Sequence, residues 1–185
     1  MDEALADRPC GDCSVCCTVK PINTPELTKA PGVACRHCLA SGGCAIYETR
    51  FPVCREYRCS WKILGWIPKQ LRPDRPGVLI DIVESDAPGH ELEATLLAFR
   101  GGADFERHPV PDIVASLIEQ GVLVFLSRPG PPGMLNAKAA VNGRLRAAIA
   151  ARDGPRFLAE LRAAAEGLEA HAWEPFVPRF PEAAR

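Results

Sequence analysis

Past Cys59 the chain has no cysteine at all, and nowhere does it carry a basic excess, an export signal or an apolar run of membrane-spanning length. With 22 Lys and Arg against 23 Asp and Glu, the formal net charge is −1. No overall positive field is left to neutralise phosphates, so neither nucleic acid nor an anionic membrane surface is an expected partner. The N-terminal stretch MDEALADRPC is acidic and lacks a basic flank followed by an apolar core, which predicts no signal peptide. Apolar runs such as Gly121-Val-Leu-Val-Phe-Leu126 fall well short of the roughly 20 residues a membrane helix needs. A cytoplasmic protein is expected. Hydrolase chemistry is also missing: His90, His108 and His171 are isolated in sequence and Ser127 sits in no nucleophile-elbow pattern, whereas catalysis needs partners around such groups.

Set against these absences is a concentration of thiols. All nine cysteines lie in the first third of the chain: Cys10, Cys13, Cys16, Cys17, Cys35, Cys38, Cys44, Cys54 and Cys59. In a reducing compartment thiols stay reduced, so dense and regularly spaced cysteine points to metal ligation over disulfides. The odd count would also leave one thiol over in any complete set of bridges.

The chain divides by source of stability. Residues 1–62 are rich in Cys, Pro and Gly with few periodic apolar patterns. A module of that size buries little apolar surface and is expected to depend on metal crosslinks. Residues 63–76 read as a linker, on the closely spaced prolines of Leu71-Arg-Pro-Asp-Arg-Pro-Gly77. Residues 77–185 read as a small α/β region. There, Val78–Val83 and Leu92–Phe99 have strand character and Ser85-Asp-Ala-Pro-Gly89 supplies the turn of an antiparallel pair. Ile113, Val114, Leu117 and Ile118 share a helical face between Pro111 and Gly121, and Val122–Leu126 fits a buried strand. The recurrences Val141, Leu145, Ile149 and Phe157, Leu161, Leu168 predict two amphipathic helices separated by Asp153-Gly-Pro155. Met134–Lys138 reads as a loop and helix start. The fold class expected is α+β: a Cys-rich, metal-stabilised N-terminal module followed by a small mixed sheet with covering helices.

Written as spacings, the cluster is C-x2-C-x2-C-C, then C-x2-C-x5-C-x9-C-x4-C. Two intervening residues let the backbone fold back so that both sulfurs reach one ion, as in zinc ribbons and iron–sulfur proteins. Cys10, Cys13 and Cys16 have the spacing by which ferredoxins present three thiolates and take the fourth from a distance, although no Cys-Pro follows closely downstream. If Cys16 and Cys17 lie in extended backbone, they point to opposite sides. Cys17 then serves a second metal or packs as a small buried side chain. Nine thiols allow two four-thiolate sites with one left over, or one site with several thiols beside it. His37 is a further nitrogen donor, placed more naturally beside the site than in it. Four thiolates around a divalent ion leave two negative charges, which Arg8, Lys20, Arg36, Arg50, Arg55, Arg58 and Lys62 could offset. Tyr47 and Tyr57 are expected over the cluster. Trp61 and Trp66 are expected there or at the contact with the second region.

The residues Cys10-Gly-Asp-Cys13-Ser-Val-Cys16-Cys17, Cys35 and Cys38, and Gly43-Cys-Ala-Ile-Tyr-Glu-Thr-Arg50 followed by Cys54-Arg-Glu-Tyr57 resemble the CxxCxxCC zinc- or iron-chelating domain family, also called YkgJ-like cysteine cluster proteins. The later segment is similar to that family's Gly-Cys-x-Ile-Tyr-x-x-Arg-Pro-x-x-Cys-Arg element, with Phe51 at the usual proline position and Pro52 one residue late. The resemblance covers about the first third of the chain. It implies chelation of zinc or iron, with an iron–sulfur cluster slightly preferred over mononuclear zinc, and no single biochemical activity. Larger proteins with a similar cluster look like iron–sulfur enzymes that methylate protein lysines using S-adenosylmethionine, which supplies an alternative of a different class. Against that alternative, Phe99-Arg-Gly-Gly102 reads as a turn and no convincing Gly-rich cofactor loop follows a strand. A third reading makes the metal purely structural and the α/β region a protein-interaction module.

Overall fold

The computed structural model describes residues 8–180. Residues 1–7, with most of the N-terminal stretch read above for an export signal, and residues 181–185 lie outside the described part. The Cys-rich segment contributes helix α1 (Val15–Val19), a two-residue hairpin of β1 (Ile22–Asn23) and β2 (Thr28–Lys29), and short helices α2 (Pro52–Glu56) and α3 (Ser60–Ile63). A four-stranded mixed sheet follows, built from β3 (Val78–Glu84), β4 (Leu92–Ala98), β5 (Leu123–Arg128) and β6 (Ala137–Ala140) in the order β3-β4-β5-β6. Helices α4 (Val110–Glu119), α5 (Asn142–Ala150) and α6 (Gly154–Glu169) complete an α+β architecture. Among the described residues, no helix is long and apolar enough to cross a membrane.

β3 and β4 pair antiparallel in the register Ile80↔Leu96, and β4 and β5 pair parallel, Leu96 facing Leu126. A parallel pair needs a crossover, here the 3-10 turn Gly102–Glu106 and α4. The Gly101-Gly102 pair opens that turn, with Gly102 packed near Ala165 of α6. Asn142 pins the next junction: its side-chain oxygen accepts from Val124 N at 2.7 Å and its amide donates to Val122 O at 2.7 Å. Asp153 caps α6, accepting from Arg156 N at 3.0 Å.

Residues 137–140 correct the expectation of a loop and helix start, because Ala137–Ala140 pairs antiparallel with Phe125–Arg128 as an edge strand. Pairing, not propensity, makes this strand, since alanine and lysine are poor strand formers.

Alternation along the strands gives the sheet two covered faces. Val78, Ile80, Ala94, Leu96, Val124 and Leu126 point to one side, where they meet Val110, Val114, Leu117, Leu145 and Leu161 of the helices. Trp61, Ile67 and Leu71 join this core, so the segment after α3 is anchored in it. Leu79 and Leu97, register partners on the opposite face, pack with Val15 and Val19 of α1. The Cys-rich segment is thus the second cover of β3 and β4. Ser60 closes the exposed edge of β3, its hydroxyl accepting from Ile82 N at 2.8 Å. The C-terminal stretch also ties back: Phe176 N donates to Gly133 O at 2.9 Å, and Asn23 Oδ1 accepts from Arg179 N at 3.1 Å and Phe180 N at 3.2 Å.

Candidate metal centre

Local turns bring the thiols together. Cys13 N donates to Cys10 O at 3.1 Å and Cys38 N to Cys35 O at 2.9 Å, so each CxxC unit closes a tight turn. Cys35 N donates to Cys17 O at 2.9 Å, joining the first unit to the second. Cys38 and Cys44 then face each other across an antiparallel bridge, flanked by Ala45 N donating to His37 O at 2.8 Å and Leu39 N to Gly43 O at 3.3 Å. Gly42 and Gly43 have φ of +88° and +83°, and a Cβ on Gly42 would stand 2.3 Å from Asp12 O. Only glycine lets this turn lie on the Gly11–Asp12 backbone.

Seven of the nine thiols, those of Cys10, Cys13, Cys16, Cys17, Cys44, Cys54 and Cys59, line one cavity of about 150 Å3. Cys38 touches this group through Cys17, and Cys35 lines the neighbouring cleft with Leu27 and Lys29. All nine cysteines are free and partly exposed. Cys16 and Cys17 are not in extended backbone: they occupy the helical turn of α1, where neighbours are separated by about 100°. Cys16 packs with Cys13 and Cys59 against Val15, Val19, Leu79 and Leu97, whereas Cys17 is not part of that apolar patch.

Cys17 also differs electrostatically. The Cys16 thiol donates to its sulfur, the Cys38 thiol does likewise, and the Lys29 and Arg50 charges add to them, so against its burial its thiol is lowered to about 6. The same hydrogen bond, with burial, pushes Cys16 well up. Burial raises Cys38 and Cys59 to about 11, and raises Cys13 and Cys54 as well.

Of the cations expected near the cysteines, Lys20, Arg50 and Lys62 line the cavity. Lys20 is paired with Asp81 and lies 4.7 Å from the centroid of the Tyr57 ring. Tyr57 donates to the other Asp81 oxygen at 2.6 Å; burial first, then the Asp81 charge, pushes its phenol up. Arg8 works at the junction instead, donating to Trp61 O, Gly65 O and Ile67 O at 3.1, 3.0 and 2.8 Å. Tyr47 and Tyr57 line the cavity, Trp61 is in the main core and Trp66 is exposed. His37 lies beside Phe51, its Nε2 accepting from Arg36 Nε at 3.3 Å, and it does not line the cavity. Asp81 and Lys29 were missed by sequence reasoning. Lys29 is 6% exposed, and its ammonium donates to Thr18 O, Ala30 O and Val33 O at 2.9, 3.1 and 2.8 Å.

The donor chemistry fits a soft metal, since thiolates of this kind select zinc, cuprous copper or iron–sulfur clusters. Among the described residues, no three Cys, His, Asp or Glu side chains already stand in metal-holding geometry; several thiols hydrogen-bond one another instead. Ligation therefore requires side-chain rotations within the cavity, which a cysteine makes about a single χ1 bond. The other histidines and Ser127 have local partners: His90 contacts Gly121 O, His108 pairs with Asp112, His171 stacks edge-on with Trp173, and buried Ser127 donates to Ala137 O.

No family model, no curated protein and no solved structure matches the chain.

Proposed function

We propose that this chain is a cytoplasmic metal-binding protein that chelates zinc or iron through its cysteine cluster, with an iron–sulfur cluster slightly preferred. The observation that carries this reading is the convergence of seven thiols, from positions 10 to 59, on one cavity. Free thiols gathered this densely are expensive to keep merely as packing groups, because each is open to oxidation. Ligation gives them a use and protects them. The C-x2-C-x2-C run with Cys59 nearby supplies the donor pattern of an iron–sulfur protein. The motif resemblance to the CxxCxxCC family points to the same chemistry. Tyr47 and Tyr57 narrow water access to the cavity, while Lys20, Arg50 and Lys62 offset thiolate charge at its wall. Such a group, when bound, would supply cross-linking and, if iron–sulfur, one-electron chemistry; the residues named hold, orient and neutralise it.

Protein purified without oxygen is expected to contain iron with acid-labile sulfide, or zinc, at near-stoichiometric levels. Visible absorption separates the two, because an iron–sulfur cluster is coloured and zinc is not. Absence of both metals from the freshly purified chain would overturn the reading.

A further inference from the structure

Building on that chelation reading, we propose that the thiols form two adjacent metal centres, one on Cys10, Cys13, Cys16 and Cys59, the other on Cys17, Cys38 and Cys54 completed by Cys35 or Cys44. The boundary runs between the neighbouring residues Cys16 and Cys17.

The first set is defined by position. Cys13, Cys16 and Cys59 pack on the apolar patch over Leu79 and Leu97. Cys10 is tied to Cys13 by its turn and lines the cavity wall with Cys16 and Cys59. The second set gathers on the other side of α1. Cys17 takes hydrogen bonds from Cys16 and Cys38, and its carbonyl accepts from Cys35 N. Cys54 lines the cavity with Cys17 and Cys44, and Cys38 closes its turn on Cys35. Cys44 lies directly across from Cys38. A helical turn lets adjacent cysteines serve different centres: with about 100° of rotation per residue, Cys16 packs over Leu79 and Leu97 while Cys17 meets Cys38, the two sulfurs touching at the boundary.

A buried ammonium is costly unless negative charge lies near it. Lys29 is 6% exposed, held by three backbone carbonyls, and lines one cleft with Cys35. Arg50 lines the cavity wall with Cys17, Cys44 and Cys54. Both cations stand where thiolate charge of the second set would gather.

The test is a metal and sulfide count per chain on full-length protein purified without oxygen, for the unsubstituted chain and for Cys13→Ser, Cys59→Ser, Cys38→Ser and Cys54→Ser. Each single variant is expected to lose one of two metal complements; Cys13→Ser combined with Cys59→Ser should still lose only one, as should Cys38→Ser combined with Cys54→Ser, whereas Cys13→Ser combined with Cys38→Ser should lose both. Of Cys35→Ser and Cys44→Ser, one should retain both complements. Loss of all metal in every variant would mean a single polynuclear centre and overturn the partition while leaving chelation intact. Should a variant not fold, cadmium titration of the unsubstituted, metal-stripped chain reads the same question through thiolate charge-transfer absorption. Two ions whose cadmium-113 resonances show no metal–metal coupling support two centres; saturation at one ion, or two resonances coupled through bridging thiolates, overturns them. An unsubstituted chain that holds no metal defeats the underlying reading instead.

Discussion

On the proposed chelation, stripping the metal is expected to unravel the Cys-rich segment while the four-stranded sheet stays folded. Among the described residues before position 60, the buried apolar side chains are Val15, Val19 and Leu27, whereas the sheet and its helices bury Leu96, Leu126, Val124, Val114, Leu145 and Leu161 almost completely. At about 1.5–3 kcal/mol for each fully buried aliphatic side chain, three such groups do not offset the ordering entropy of some fifty residues. A structural metal contributes about 10–16 kcal/mol to folding in small zinc domains, which is the scale of term the segment lacks. Hydrogen exchange on chelator-treated protein should therefore show protection lost across residues 10–59 and retained in β3, β4 and β5. Unchanged protection in the Cys-rich segment would mean that its contacts with Leu79, Leu97 and the main core hold it without metal.

Leu79→Ala is the second large effect, and it links the sheet to the site without touching a thiol. Leu79 is 2% exposed and lies under α1 beside Cys13, Cys16 and Cys59. Truncation should cost about 2–5 kcal/mol through lost burial and a residual cavity. The comparison variant is Leu96→Ala on the opposite face, 0% exposed beneath the helices, with a similar expected cost. Thermal melts should fall comparably for both. Transfer of metal to a competing chelator should quicken in Leu79→Ala more than in Leu96→Ala, because Cys13, Cys16 and Cys59 all pack on the patch of Leu79, whereas of these only Cys59 also reaches the core of Leu96. Equal transfer rates in the two variants would show that the sheet contact does not support the site.

The elements of the second region were legible because their signals are local. Val78–Val83 is rich in β-branched residues, Ile113, Val114, Leu117 and Ile118 share one helical face, and Gly121 with φ of +83° ends that helix. β6 was not legible, because Ala-Lys-Ala-Ala becomes a strand only through its register with Phe125–Arg128. Nor was α1: Val-Cys-Cys-Thr-Val is weakly helical in propensity, and its turn depends on burying Val15 and Val19 against Leu79 and Leu97. In the candidate site, cysteine spacing marked the two CxxC turns, since such a turn is a property of four consecutive residues. Which thiols meet in the cavity was not legible, because that depends on how the 35–44 loop, α2 and α3 fold against α1. Lys29 and Asp81 gave no signal either. Their roles arise from the hairpin that buries one and from the strand that aims the other at Lys20 and Tyr57.

X-ray absorption at the metal edge of freshly purified protein tests the central claim most directly. Thiolate ligation predicts a shell of sulfur neighbours at about 2.3 Å, with a second shell of iron if a cluster is present. A shell made only of nitrogen and oxygen would place the metal away from the cysteines and contradict the account.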